Sequence, residues 1–211
     1  MREKLLHDLN NRYATKKFDS TKKVSDADFQ LICEALRLFP SSYGLQPVKF
    51  IIVKTESIRL ELQKAAFGQA QISEASHLIV LCALDSISNN DVDDHVKLLA
   101  DTREIEVEKL VGFGTQIKGS IEKMSEENMQ IWNDKQAYIA LGQLLHTCAV
   151  LHIDATPMEG FSKSEFDRIL NLKDQNLHSV LACPIGYRSE DDAYSKIKKA
   201  RKSMNALFEI R

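Results

Sequence analysis

The sequence is short of several things that would have narrowed its function quickly. Four cysteines are present, Cys33, Cys82, Cys148 and Cys183, and no two form a CxxC pair. Each lies in or beside an apolar run, so four reduced core thiols are expected rather than a disulfide framework or a zinc knuckle. There is no surplus of charge. The net value of −2 gives no global field to draw the chain to nucleic acid or to a membrane surface. No apolar run reaches the roughly 18 residues a membrane span needs. The segment Met1-Arg-Glu-Lys-Leu-Leu-His-Asp8 has no secretory h-region, and a cytoplasmic protein is the expectation.

Catalytic signatures are missing too. Neither HExxH nor GxSxG occurs, which removes zincin chemistry and the nucleophile elbow. His146 and His152 are six residues apart and point to different faces of a helix, so no metal site is expected. Gly112-Phe-Gly114-Thr-Gln-Ile-Lys-Gly119 resembles a phosphate loop only superficially. It follows no strand, its last spacing is wrong, and no GK[ST] ends it.

What is present is ordinary globular material: 211 residues, 44% hydrophobic and 27% charged, enough for one domain with a sizeable core. A helix over residues 3–13 places Leu5, Leu6 and Leu9 on one side. Ser25 and Asp28 resemble a capping box opening a helix to Leu38, with Leu31, Ile32, Ala35 and Leu36 facing the core. Residues 48–53, 76–83 and 178–185 read as strands, and 56–67 and 164–170 as helices. Residues 91–127 read as a charged, mostly helical excursion interrupted by Gly112, Gly114 and Gly119. The last apolar residues, 206–210, read as an edge strand. The alternation of helix and strand predicts an α+β or α/β domain.

Two features carry chemistry. From Ala137 to Leu151 apolar residues occupy every face of a helical wheel, which predicts a long helix buried nearly all round. Gly142 within it predicts close packing against a neighbouring backbone. Its exit, Pro157-Met-Glu-Gly160, is either a plain turn or a place where backbone N–H groups stay free to face a ligand. The second feature is basic. Arg12 and Lys16 lie in an N-terminal loop, and Lys199 and Arg201 in a C-terminal tail. Separately these are solvated faces; together they make a four-cation pocket for a phosphate or similar anion.

Several stretches then match one family in order: Arg12-Tyr-Ala-Thr-Lys16-Lys-Phe18, Pro40-Ser-Ser-Tyr-Gly-Leu-Gln-Pro47, Gly68-Gln-Ala-Gln71-Ile with Ala75-Ser-His77, Lys135-Gln-Ala-Tyr138, Pro157-Met-Glu-Gly160 and Lys199-Ala-Arg201. The set resembles the nitroreductase family, nearest its oxygen-insensitive NAD(P)H nitroreductase and major FMN reductase branch. The resemblance implies one α+β domain over 1–211, with a central mixed sheet flanked by helices. It also implies a homodimer in which the C-terminal strand is exchanged and FMN is bound tightly but non-covalently at the interface, with NADH or NADPH as reductant.

Carried over by position, Arg12, Lys199 and Arg201 hold the FMN phosphate, Tyr13 and Ala14 line the same loop, and Lys16 sits at the flavin N1–O2 edge. Ser41, Ser42 and Tyr43 reach in from the other subunit. Pro157, Met158, Glu159 and Gly160 flank the ring, with a backbone N–H of Glu159 or Gly160 toward N5 or O4. Gln69 and Gln71 stand by the pyrimidine, where the chain departs from the family pattern at Gly68 and Gln71; Val48 and Lys198 are departures elsewhere. No side chain is expected to act as acid or base, because the flavin carries the hydride. The implied activity is ping-pong, two-electron reduction of nitroaromatics, quinones or free flavins. The alternatives are a dedicated acceptor (a pteridine, an enone or a haloaromatic), a flavin-binding dimer without turnover, and a plain structural dimer.

Overall fold

Three of the apolar runs become strands of one sheet, two of them buried on both faces at its centre and one, half-buried, at its edge. In the computed structural model, which describes all of residues 1–211, the strands are β1 (Val48–Val53), β2 (His77–Leu84), β3 (Asp154–Ala155) and β4 (Leu177–Gly186), in the spatial order β1-β2-β4-β3. The helices are α1 (Arg2–Asn11), α2 (Asp26–Arg37), α3 (Glu56–Ala65), α4 (Gln71–Glu74), α5 (Asn89–Arg103), α6 (Val111–Ile121), α7 (Glu126–Val150), α8 (Lys163–Ile169) and α9 (Met204–Leu207). The fold is α+β. Neighbouring strands all pair antiparallel, and the mixed character expected of the sheet rests on a single parallel bridge between Ala14 and Ala155.

Side chains alternate across a strand. Ile79, Leu81 and Ala83 of β2 therefore enter a core shared with α2 and α7, while Leu78, Val80 and Cys82 enter a second core with Leu62 of α3 and Phe166 of α8. This double burial explains why an antiparallel strand reads as one apolar run. All four thiols are free, and three are buried.

The helices correct several expectations. Ser25 does cap α2, its side chain accepting from the Asp28 N–H. The core face, however, is Phe29, Ile32 and Leu36; Leu31 is 51% exposed because it falls between the i, i+3 and i+7 positions. Gly112, Gly114 and Gly119 do not break the chain but lie inside α6 or its last turn. At Gly114 the reason is contact: an added Cβ would come within 3.2 Å of a Val96 methyl on α5. These two helices close a third small core of Ile87, Val92, Val96, Ile117 and Ile121.

The long helix α7 is not buried all round within one subunit. Ala137, Ala140, Leu141, Leu144 and Cys148 face the first core, but Ile131, Tyr138, Ile139 and Val150 are exposed on the opposite side. Nothing lies within 4 Å of a Cβ built on Gly142, so the close packing expected there is not made by this subunit. Leu5, Leu6 and Leu9 of α1 are open as well. The predicted edge strand at 206–210 is instead the helical turn α9 followed by exposed Phe208 and Ile210, paired with no strand of this subunit. No helix is long and apolar enough to cross a membrane.

One polar clamp ties the sheet to α7. The His178 ring on β4 lies 2.7 Å from an Asp85 oxygen through Nδ1 and 2.6 Å from Asp134 through Nε2. The Asp134 hydrogen bond raises its pKa above 6.5, burial opposes this, and the charges of Asp134 and Asp85 add to the rise. A raised folded value means the clamp's stabilisation is complete below the unfolded pKa of about 6.5 and is lost as pH climbs through the folded one. The stability advantage of the native protein over His178→Gln is therefore expected to shrink as pH rises above about 6.5 in urea titrations. A gap independent of pH would contradict the charged clamp.

A cationic cavity at the joined chain ends

The N-terminal loop and the C-terminal tail meet, and a buried carboxylate joins them. Asp192, only 2% exposed, accepts hydrogen bonds from the Tyr13 hydroxyl (2.8 Å), the Lys16 N–H (2.8 Å), the Lys17 N–H (3.2 Å) and the Tyr194 N–H (3.0 Å). Arg188 stacks its guanidinium 4.6 Å from the Tyr13 ring centre and pairs with Asp154 of β3, Nε to Oδ1 2.9 Å. The Lys16 ammonium sits 5.9 Å from the Tyr194 ring centre.

Between these segments lies an open cavity of about 400 Å³. Its lining includes Arg12, Tyr13, Ala14, Lys16, Lys199 and Arg201. That is within the range of small-molecule sites. The four cations singled out in the sequence thus share one hollow. Lys199 donates to the Leu9 carbonyl at 2.5 Å. Its pKa lies below the ordinary lysine value because of burial and then the charges of Arg12 and Arg201. Cations held this close repel one another, and an anion placed among them relieves that repulsion.

The same loop reaches the second predicted element. Ala14 bridges Ala155, and the Thr156 hydroxyl donates to the Thr15 carbonyl at 2.6 Å. From there Met158, 5% exposed, exchanges two backbone hydrogen bonds with Ala182, its N–H donating at 2.8 Å and its carbonyl accepting at 3.0 Å. Pro157 is half-buried, and Glu159 and Gly160 are exposed. The N–H groups of Glu159 and Gly160 donate to nothing in the chain. Of the two readings left open for this turn, the free-donor one describes its geometry.

The remaining predicted residues fall elsewhere. Gln69 lies against the turn, its amide nitrogen engaged by the carbonyls of Gly160 (2.7 Å) and Ala66 (3.0 Å). Gln71 is 8% exposed, in α4. Ser41, Ser42 and Tyr43 do not line the cavity. The Ser42 N–H donates to Gln136 of α7 at 2.9 Å, and the Tyr43 ring packs near Phe113 and Trp132. Three residues that organise the site, Asp192, Arg188 and Asp154, have no signature in the sequence. They are single acidic or basic residues in mixed contexts, and only the fold gives them partners.

A family model described as the nitroreductase family matches residues 9–187. The chain belongs to that family. A nitroreductase-family relative, the major NAD(P)H-flavin oxidoreductase of Aliivibrio fischeri, is 35% identical over 221 residues and covers 100% of both chains. Among solved structures of the same fold, a chain from Exiguobacterium sibiricum in complex with FMN superposes with a TM-score of 0.82 at 18% identity, covering 98% of this chain and 97% of its own. The NADPH:FMN oxidoreductase of Vibrio harveyi, complexed with NAD+, gives 0.72 at 17% identity, over 98% of this chain and 76% of its own.

Proposed function

We propose that this nitroreductase-family chain is an FMN-dependent NAD(P)H oxidoreductase. The observation that carries the reading is the meeting of four cations in one cavity, whose loop pairs with the Ala155–Thr156 segment that leads into a turn with two free N–H donors. The donor set fits the cofactor. Guanidinium and ammonium groups suit a phosphate monoester, and Arg12, Lys16, Lys199 and Arg201 all line the cavity. Bound FMN supplies the chemistry, taking a hydride from NADH or NADPH and passing two electrons to a nitroaromatic, a quinone or a free flavin in a ping-pong cycle.

The chain's own part is to bind and orient. Arg12, Lys199 and Arg201 neutralise the phosphate. Lys16 would supply a positive charge able to stabilise a reduced, anionic flavin electrostatically. The free Glu159 and Gly160 donors would be available to the ring edge. No acid or base is required of the protein. The test is the visible spectrum of the purified protein before and after anaerobic NADH or NADPH. A flavin spectrum that bleaches is expected. A protein that binds FMN but is not reduced would favour a non-catalytic flavin carrier, and a colourless one that refuses added FMN would sink the reading.

The proposal includes a homodimer, with Ser41, Ser42 and Tyr43 completing the partner's site. It is supported by the apolar side of α7 and by Leu5, Leu6 and Leu9, which one subunit leaves open. Ile139, 44% exposed, is expected to tolerate glutamate in the isolated fold but not at an interface. Ile139→Glu should sediment as a monomer and retain FMN poorly. A dimeric, yellow Ile139→Glu protein would argue against this face.

A further inference from the structure

The Glu159–Gly160 turn is poorly fixed by its own backbone. Beyond Met158 the only internal bond is from the Phe161 N–H to the Glu159 carbonyl, 2.9 Å. A glycine in an exposed turn with two free donors has wide freedom. Two side chains from distant parts of the sequence counter it. On one side the Tyr138 hydroxyl, from α7, donates to Glu159 Oε1 at 2.8 Å. On the other, Gln69 donates to the Gly160 carbonyl at 2.7 Å. We infer that Tyr138 and Gln69 are positioning residues, bracing this turn from opposite sides so that the Glu159 and Gly160 N–H groups stay aimed at bound ligand. This rests on the flavin reading above.

Both braces are themselves anchored. Tyr138 lies one helical turn from Asp134, which holds His178. Burial, the Glu159 hydrogen bond and charge, and then Asp134 push the Tyr138 phenol up to about 12, so it stays a donor at any physiological pH. Gln69 follows a reversal in which Phe67 and Gly68 both have positive φ, 56° and 77°. The same Gln69 Nε2 also donates to the Ala66 carbonyl at 3.0 Å, so the amide nitrogen is shared between the turn and the end of α3. Gly68 takes its φ of 77° at no steric cost.

The test uses the full-length protein and its Tyr138→Phe and Gln69→Met variants, which remove one donor each with little change of volume. Backbone amide order parameters are measured without FMN. Values near 0.85 are expected at residues 159 and 160 in the native protein, falling below about 0.6 at those two amides alone in each variant. With FMN bound, hydrogen exchange at both amides should slow in the native protein, and that FMN-dependent slowing should drop about tenfold in the variants. Unchanged order parameters in both variants would overturn the brace. Exchange at the two native amides that ignores bound FMN would overturn its purpose. Native protein that binds no FMN, yet shows the loss of order in the variants, would overturn the flavin reading and leave the brace standing.

Discussion

Arg12→Ala is expected to weaken FMN binding by about 10- to 150-fold, and Arg201→Ala by a similar factor, with little change in thermal stability. The magnitude follows from the charge-assisted hydrogen bonds a guanidinium makes to a phosphate, each about 1.5–3 kcal/mol. Stability should hold because neither side chain is part of the core. Arg12 is half-buried and Arg201 exposed at the cavity, where the only recorded bond of the Arg201 side chain is to the neighbouring Ala200 carbonyl, 2.7 Å. Quenching of FMN fluorescence on titration reads the affinity directly. The loss should grow with salt, since the remaining cations are screened more easily than a bidentate pair. Two variants with native affinity would remove the phosphate from this cavity.

The outcome bears on how the site was written into the sequence. The cations were legible as two basic clusters, but their meeting was not, because nothing local says that residues 12–16 and 199–201 are neighbours. The decisive contact is Asp192, which reads in sequence as one more acid in Ser189-Glu-Asp-Asp192. Likewise the free donors at Glu159 and Gly160 were anticipated from proline and glycine chemistry, a local rule that survives folding. Tyr138 was visible as part of a long apolar helix and of the Lys135-Gln-Ala-Tyr138 stretch, neither of which names its partner. Its partner lies 21 positions away, beyond any helical period.

The fold divides the same way. Strands β1, β2 and β4 were evident from composition, since residues buried on both faces leave no polar alternation. A helix start was evident at Ser25, where a cap exists; the start of α7 at Ser125, also capped, was not. The misplaced features share one cause. All-round burial of α7, close packing at Gly142 and an edge strand at 206–210 each ask for a neighbour that a single subunit does not supply. An apolar pattern says that a surface wants cover; it does not say which chain provides it.

Asp192→Ala should be the most damaging single change at the site, and damaging in a different way from Arg12→Ala. It strips four donors of their acceptor at once: the Tyr13 hydroxyl and the N–H groups of Lys16, Lys17 and Tyr194. Unsatisfied buried donors cost about 1–3 kcal/mol each, and with partial rescue by water a total of about 3–4 kcal/mol is expected. For a chain of this length that lowers the thermal midpoint by roughly 6–15 °C. FMN should be lost with it, because the Arg12–Lys16 loop no longer docks on the 192–196 segment. Asp192→Asn separates charge from shape, since its carbonyl still accepts. Burial alone would raise the Asp192 pKa, but the hydrogen bonds from Lys16, Tyr13, Lys17 and Tyr194 outweigh it and hold the carboxyl below 3.8. A depressed folded value contributes stability that is whole above the unfolded pKa and is lost as pH falls through the folded one. Native protein should therefore lose stability as pH falls below about 4 more steeply than Asp192→Asn does. Flavin lost from Arg12→Ala at an unchanged midpoint, and from Asp192→Ala together with the midpoint, would separate the residues that hold the anion from the one that builds the cavity.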